Sequence, residues 1–374
     1  MNRIRTTTML VSMAILTSAC SSSSARTVAS AAEASTATLE STPVPAIGSP
    51  AATAPLVASP TPASVLPGEP WIAYEGPIPG GAGNRLVRPD GQEDHWATPD
   101  VPRRTDGWQV HPDWSPDGTR LAFAVDDTDG SSRDLWISEP DGANAERVFD
   151  CQSPCIEADA AAWSPDGRTL AFVAMDGDGP DNINGRLMVL DLQTRAASVI
   201  LRAPKVAEFF RWPRWSPDGR SIVLELQRWS DKGPTGVLSA SIIGVVDMTA
   251  KTPTMRPFTE WSLFATYPDW HPSQDLIVFS TRQWDDLATG PSNLYTVRPD
   301  GTEMTQLTHF KAGQTRATQP TWLPDGSGII FTAVEGDGFG NPTMATILPD
   351  GTGLTSATSN EPMLGTHPRL RPMP

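Results

Sequence analysis

Short apolar segments separated by tight turns recur along most of the chain. The clearest segment is WSPDGTRLAF at 114–123, and closer or weaker copies begin at Trp163, Trp215, Trp270 and Trp322. The intervals between these tryptophans are 49, 52, 55 and 52 residues. Self-similarity at such a period is typical of repeat architectures, so each copy predicts one supersecondary unit.

One repeat predicts a four-stranded antiparallel meander. In the first repeat VHPDW leads into SPDG, where proline and glycine suit the second and fourth positions of a type I turn. The apolar run at 121–125 predicts a buried strand, and two further strands are predicted at 135–138 and 145–149 around a second PDG turn. Such a meander, repeated, predicts a propeller blade whose tryptophan fills the wedge between neighbours.

Five complete repeats lie between two incomplete ones. PWIAYEG, NRLVRPDG and EDHWATPD supply three strands without an opening WSPDG, whereas THPRLRP at 366–372 supplies an opening strand alone. We therefore predict an all-β, six-bladed propeller of four-stranded antiparallel blades, the last blade closed by the C-terminal strand. This pairing would join both ends of the domain and remove its open sheet edge.

The N-terminal residues have a different composition from the repeats. Residues 1–20 have the layout of a signal peptide and resemble a bacterial lipobox, with small residues before Cys20, although Thr17 stands where leucine is usual. The alternative is plain secretion after cleavage near Ala19. Residues 21–68 are rich in Ser, Ala, Thr and Pro and predict a disordered tether. We expect the propeller at 69–374, exported and lipid-anchored to the outer face of the cell membrane or in the periplasm.

The net charge limits the classes of partner, and the cysteine content predicts one covalent cross-link. The net charge of −15 argues against nucleic acid, which needs a basic surface, and we expect a monomer that contacts the membrane through its lipid alone. Cys151 and Cys155 form an even pair in an exported protein and predict a disulfide that closes a small loop. The alternative, a metal site, would need a second Cys or His pair at a fitting distance.

The repeat itself resembles a known family. HPDWSPDGTRLAF at 111–123 and WPRWSPDGRSIVL at 212–224 resemble the TolB-type six-bladed propeller repeat, and the resemblance covers about 70–374. The same motif occurs in the propeller caps of prolyl oligopeptidase-like peptidases, so it implies the fold more specifically than the function. TolB also carries an N-terminal α/β domain that contacts partners. Because the low-complexity segment stands in that place here, TolB's partners are not implied.

Signatures of catalysis are absent from the sequence. There is no G-x-S-x-G nucleophile elbow, no H-E-x-x-H and no G-K-[ST] phosphate loop. Catalytic residues are therefore not predicted, and no cofactor is firmly implied.

The candidate site is the axial channel, at the residue before the proline of each P-x-W. Two carboxylates, Glu157 and Asp159, lie nearby in the second repeat, which lacks that proline. Together with the matching positions of the other repeats, which are given below, these carboxylates would line one end of the channel with histidine, glutamine and aromatic side chains. Such a set of side chains could hold a metal ion or a small polar ligand. It loosely resembles the His/Gln metal site of oligogalacturonate lyases, which makes His111, Gln319 and His367 the candidate metal ligands. The alternative is that these residues only cap strands. The positions in the other repeats are His111, Trp212, Tyr267, Gln319 and His367.

Acidic, glycine-rich loops are a second candidate. DDTDG at 126–130, DGDGPDN at 176–182 and GDGFGN at 336–341 offer the oxygen ligands that calcium prefers, although the same residues are common in ordinary hairpins. Our leading hypothesis is a non-enzymatic module that binds a protein or small polar ligand. The alternative is a metal-assisted lyase or hydrolase that acts on a polar polymer in the channel.

Overall fold

The computed structural model describes residues 68–177, 183–229, 238–282, 291–335, 342–357 and 365–373. The predicted signal peptide, Cys20 and tether lie outside these residues, as do 178–182 and 336–341 of the acidic loops. The described residues form 24 strands in six four-stranded antiparallel sheets, which confirms the predicted six-bladed propeller. None of their helices is long and apolar enough to cross a bilayer.

The strands follow one another blade by blade. The chain begins with β1 (Ile72–Ile78), β2 (Gly81–Val87) and β3 (His95–Trp96). Blade 1 contains β4 (Gln109–Trp114), β5 (Leu121–Asp126), β6 (Arg133–Ser138) and β7 (Glu146–Phe149). Blade 2 contains β8 (Cys155–Trp163), β9 (Thr169–Gly177), β10 (Ile183–Asp191) and β11 (Ala197–Arg202). Blade 3 contains β12 (Glu208–Trp215), β13 (Ser221–Trp229), β14 (Leu238–Asp247) and β15 (Met255–Pro257).

The remaining blades have the same plan. A 3-10 turn at Trp261–Leu263 precedes blade 4, which contains β16 (Ala265–Trp270), β17 (Ile277–Arg282), β18 (Ser292–Val297) and β19 (Thr305–Gln306). Blade 5 contains β20 (Arg316–Trp322), β21 (Ile329–Val334), β22 (Pro342–Ile347) and β23 (Thr355–Ser356). The last strand is β24 (Thr366–Leu370), which pairs with β1 to complete blade 6. Its register sets Leu370 opposite Ile72 and Arg369 opposite Ala73, which confirms the predicted closure.

The SPDG phrase builds the turn between the first two strands of a blade. In blade 1 the Ser115 hydroxyl donates to Asp117 (2.6 Å), and the N–H of Gly118 donates to the carbonyl of Ser115 (2.8 Å). Gly118 has φ +65°, a conformation that glycine adopts without steric cost. Equivalent serine–aspartate bonds occur in blades 2 and 3, so the repeated phrase is explained by a repeated turn.

The repeated tryptophans pack between blades. Trp322 is only 3% exposed and lies in a cluster with residues of blades 4 and 5, and Trp114 lies in a cluster with residues of blades 6 and 1. The indole N–H of Trp114 donates to the carbonyl of Arg369 in blade 6 (3.1 Å). The apolar core is therefore a set of interfaces around the axis, each with an aromatic anchor.

Each innermost strand carries a bulge that points one side chain towards the axis. The pairing between the first two strands shifts register at this point in every blade. A bulge bends a strand and redirects a side chain, and a left-handed φ in a residue other than glycine is uncommon. We call these six residues the axial ring; all have φ between +52° and +56°, and they are His111, Ala160, Trp212, Tyr267, Gln319 and His367.

The axial ring separates two ends of the propeller. The SPDG turns of neighbouring blades lie beside each other, as the approach of Gly167 to Pro116 and of Gly219 to Pro165 shows. We call this end the turn face. The connections from one blade to the next lie at the other end, which we call the loop face.

Candidate functional site

The axial ring brings together the five side chains that the repeat pattern singled out. The ring centroid of His111 lies 4.6 Å from that of Trp212 and 4.6 Å from that of His367. Trp212 stacks on His367 (4.8 Å) and contacts Tyr267 (4.9 Å), while Gln319 Nε2 lies 3.0 Å from His367 Nε2. Blade 2 contributes Ala160 to the ring, and the predicted Glu157 and Asp159 precede it on β8.

A carboxylate that the sequence did not single out lies between the two histidines. Glu75 Oε2 is 2.8 Å from His367 Nδ1 and 3.7 Å from His111 Nε2. One ligand atom from each of the three residues lies within 4.8 Å of the others, which is compatible with a shared metal ion. Their side chains are 10–16% exposed. The cluster is therefore largely shielded but reachable by a small ligand.

Gln319 fixes the tautomer of His367. Its Oε1 accepts from the backbone N–H of His367 (3.2 Å) and from the Thr332 hydroxyl (2.8 Å), so its Nε2 must face His367 Nε2. An amide nitrogen only donates, so Nε2 of the neutral imidazole accepts and Nδ1 carries the proton. Yet Glu75 Oε2 and His367 Nδ1 are both buried without a well-oriented hydrogen bond among the described residues. These two polar atoms thus face each other at 2.8 Å in the middle of the cluster.

His111 is held from the other side by a carboxylate and an arginine. Its Nδ1 contacts Asp159 Oδ1 (2.5 Å), and Asp159 Oδ2 accepts from Arg133 (3.0 Å). This leaves His111 Nε2 directed to Glu75. Metal-binding imidazoles commonly hold a carboxylate at the nitrogen that does not bind the metal, and this contact fixes the orientation of the ring.

The charges set the protonation of this network. Burial acts to lower the pKa of His111, but the Asp159 and Glu75 carboxylates outweigh it and raise that pKa above its ordinary value. Burial lowers the pKa of His367, so this imidazole favours the neutral form. Burial acts to raise the pKa of Asp159, but His111 and Arg133 hold it well below its usual range. At neutral pH the cluster therefore holds ionised carboxylates around two histidines of unequal basicity.

The repeat position that predicts the axial ring does not include Glu75, because this residue lies outside the innermost strands. It lies on β1, the second strand of blade 6, opposite Thr366 and so beside the bulge at His367. Glu225 holds the same place in blade 3, opposite Arg211, and it accepts from the backbone N–H of Tyr267 (3.2 Å). A polar residue inside an apolar second strand, as in the AYEG and LELQ segments, was the available signal.

The other predicted sites have ordinary structural contacts where the structure describes them. Asp126 binds Arg133 (2.8 Å), and Asp129 accepts from the backbone N–H of Ser131 (2.8 Å). Within the described ranges the acidic loops contribute no group of three metal-ligating side chains. The structure joins Cys151 to Cys155 by a disulfide, in the connection between blades 1 and 2.

Comparison with known proteins supports the fold. Neither a protein-family model nor a curated protein sequence matches this chain. Among solved structures, TolB from Acinetobacter baumannii is similar at 16% identity and a TM-score of 0.58, over 80% of this chain and 66% of that one. Kuenenia stuttgartiensis hydrazine synthase is similar at 14% identity and a TM-score of 0.61, over 82% of this chain and 47% of that one. Puromycin hydrolase is similar at 16% identity and a TM-score of 0.51, over 79% of this chain and 46% of that one. The chain is thus a TolB-like β-propeller, and at these identities the likeness concerns the fold alone.

Proposed function

We propose that this protein is an exported binding module, anchored by lipid at Cys20 and tethered by residues 21–68, whose propeller binds a divalent metal ion at the loop face. Glu75, His111 and His367 would be the protein ligands. The observation that carries the proposal is the placement of Glu75 Oε2 between the two imidazoles, at 2.8 and 3.7 Å, without a well-oriented hydrogen bond.

The donor set suits a borderline cation. Two imidazole nitrogens and one carboxylate oxygen are a common ligand set for Zn²⁺, and imidazole with carboxylate also serves other first-row metals. Tetrahedral zinc with bonds of ~2.1 Å needs ligand atoms ~3.4 Å apart. The separations here therefore need side-chain shifts of under ~1 Å, which rotations of Glu75 and His111 can supply.

Binding of the ion would displace protons from the network. His367 Nδ1 carries the proton that its bond from Gln319 requires, and the carboxylates keep the pKa of His111 raised. His111 must lose its Nε2 proton before it can ligate a metal, so binding should release a proton and weaken as the pH falls. The neutral His367 must move its proton from Nδ1 to Nε2, which gives up the bond that it accepts from Gln319. Gln319 is better placed to orient His367 than to ligate the ion, since its Oε1 is already used.

A metal held by three protein ligands keeps a position for a further group. In a binding module that position takes a polar group of a protein or small ligand. In zinc enzymes the same open position holds the reacting water, and this supports the second candidate, a metal-assisted lyase or hydrolase. The side chains of the cluster are at least four-fifths buried, which fits an ion or small group better than a polymer.

Calorimetric titration of the metal-free protein with Zn²⁺, Mn²⁺ and Ca²⁺ tests the proposal. We expect one Zn²⁺ or Mn²⁺ per chain, proton release in buffers of different ionisation enthalpy, and at least a tenfold loss of affinity in Glu75→Gln and His367→Gln. Asp129→Asn removes one exposed charge elsewhere and should bind as the parent does. Equal affinity in the parent and Glu75→Gln, with both folded, would refute the site.

A further inference from the structure

A cavity lies on the turn face, beyond the axial ring that contributes His111 and His367 to the metal cluster. It has a volume of about 280 Å³, and none of the three metal-cluster residues lines it. Three of the repeated tryptophans form apolar walls, and two aspartates and one arginine supply charge. The residues that matter are Asp113, Asp269, Arg369, Trp114, Trp270 and Trp322.

The charged groups come from one position of the repeat. Asp113, Asp269 and Arg369 are each the middle residue of a P-x-W or P-x-L segment, two residues past the axial ring. Asp269 of blade 4 contacts Arg369 of blade 6, which is not its neighbour, so these side chains meet across the axis. Both acidic and basic side chains therefore meet in the cavity, near the axis of the propeller.

Each aspartate has one structural oxygen and one that faces arginine. Asp113 Oδ2 accepts from the backbone N–H of Trp163 (3.1 Å), and Asp269 Oδ2 accepts from that of Trp322 (2.8 Å). These bonds join each aspartate to the next blade and fix its orientation. The remaining Oδ1 atoms point towards the guanidinium groups.

The charge pairs in this cavity are loose. Arg369 lies 3.2 Å from Asp269 Oδ1 and 3.7 Å from Asp113 Oδ1, and Arg214 Nε lies 3.4 Å from Asp269 Oδ1. Arg133 and Arg211 also form shorter buried pairs, of 2.7–3.0 Å, with Asp126, Asp159 and Glu157, beside a longer one of 3.9 Å between Arg133 and Glu157. A guanidinium has five N–H donors, and the described residues give Arg369 contacts through Nε and Nη1 only. N–H donors of Arg369 and the Oδ1 acceptors of Asp113 and Asp269 can therefore still bind a ligand in the cavity.

We infer that the turn-face cavity binds a small zwitterion of the α-amino acid class. Its carboxylate would take the spare donors of Arg369, its ammonium would lie at the Oδ1 atoms of Asp113 and Asp269, and an apolar side chain would lie against the indoles. The volume lies just below the usual range for pockets that hold drug-sized molecules, which suits a ligand as small as an amino acid. The inference does not depend on the metal site.

The electrostatics of the free cavity agree with this ligand. Burial raises the pKa of Asp269 to about 7 and raises that of Asp113, so the arginines do not fully offset the loss of solvent. A bound ammonium would stabilise both ionised carboxylates.

Titration calorimetry with L-leucine, leucinamide and N-acetyl-leucine tests the inference. Leucinamide lacks the carboxylate, and N-acetyl-leucine lacks the ammonium. We expect saturable binding of leucine, at least tenfold weaker binding of both analogues, and a similar loss in Asp113→Asn and Arg369→Gln, because each change removes one charged hydrogen bond. Arg168→Gln, an exposed arginine on the same face, and Glu75→Gln at the metal cluster are controls that should bind leucine normally.

Each contrary result is decisive. Binding of leucinamide as tight as that of leucine would exclude a zwitterion site, as would no detectable binding of leucine at millimolar concentration. Normal binding by both folded Asp113→Asn and Arg369→Gln would place the ligand elsewhere. Zn²⁺ binding by Asp113→Asn, measured in parallel, separates a failure of this inference from a failure of the metal proposal.

Discussion

Replacement of Asp159 by asparagine perturbs the link between the metal cluster and the blades. Asp159 is 3% exposed in its side chain, and its oxygens contact His111 (2.5 Å) and Arg133 (3.0 Å). Asparagine keeps the shape but removes the charge and presents an amide donor to one of these cations. Arg133 retains Asp126 (2.8 Å), so part of its charge stays compensated. Removing one partner of a buried ion pair typically costs ~3–5 kcal/mol of unfolding free energy.

The pH dependence separates the two partners of Asp159. The raised pKa of His111 contributes stability that is complete below ~6.5 and is lost as the pH rises through its folded value. The lowered pKa of Asp159 contributes stability above ~4 that is lost as the pH falls. The cost of Asp159→Asn should therefore be greatest near pH 5–6, and it should fall at higher pH to the part due to Arg133.

Urea denaturation of the parent and Asp159→Asn at pH 4, 6 and 8, with histidine titrations followed by NMR, measures both effects. Asp129→Asn is the matched control; its carboxylate is exposed, and we expect the free energy of unfolding to stay that of the parent. A loss below ~1 kcal/mol at pH 6, with an unchanged titration of His111, would show that the buried network does not have the assigned strength.

Three further changes test other parts of the account. Trp322→Ala should cost ~3–5 kcal/mol of unfolding free energy, because the indole is 3% exposed between blades 4 and 5; a loss below ~1 kcal/mol in urea denaturation would contradict the wedge role. Burial raises the pKa of Glu225 to about 7, above its unfolded value, so the parent should lose stability as the pH rises from ~4 to ~7. Glu225→Gln should flatten that slope. The raised pKa would be refuted if the melting temperatures of the parent and of Glu225→Gln changed by the same amount between pH 5 and pH 8. Cys20→Ser should abolish lipid labelling and move the protein from the membrane to the soluble fraction; retention in the membrane would contradict the anchor.

The architecture could be predicted from the sequence because the same short, local motif specifies each blade. SPDG specifies a turn through proline, a serine–aspartate bond and a glycine at positive φ, and the tryptophan before it specifies burial. The two incomplete repeats then required β24 to pair with β1, since a free edge would remain otherwise.

The site could be predicted only in part because side chains from different strands meet in it. The axial ring shares one repeat position, so its members were visible in the pattern, including His111 and His367. Glu75 comes from a neighbouring strand, and its approach to the axis depends on the bulge opposite it. Asp113, Asp269 and Arg369 on the turn face share the middle position of a P-x-W or P-x-L segment, but the contact of Asp269 with Arg369 across the axis depends on the closed circle of blades.

The most direct test of the central claim is anomalous diffraction at the zinc edge from crystals grown in Zn²⁺ after removal of other metals. We expect one strong peak on the loop face, within ~2.0–2.2 Å of Glu75 Oε2, His111 Nε2 and His367 Nδ1, and no such peak in crystals of Glu75→Gln. No peak at this cluster in well-occupied crystals, or a peak bound by other residues, would contradict the claim.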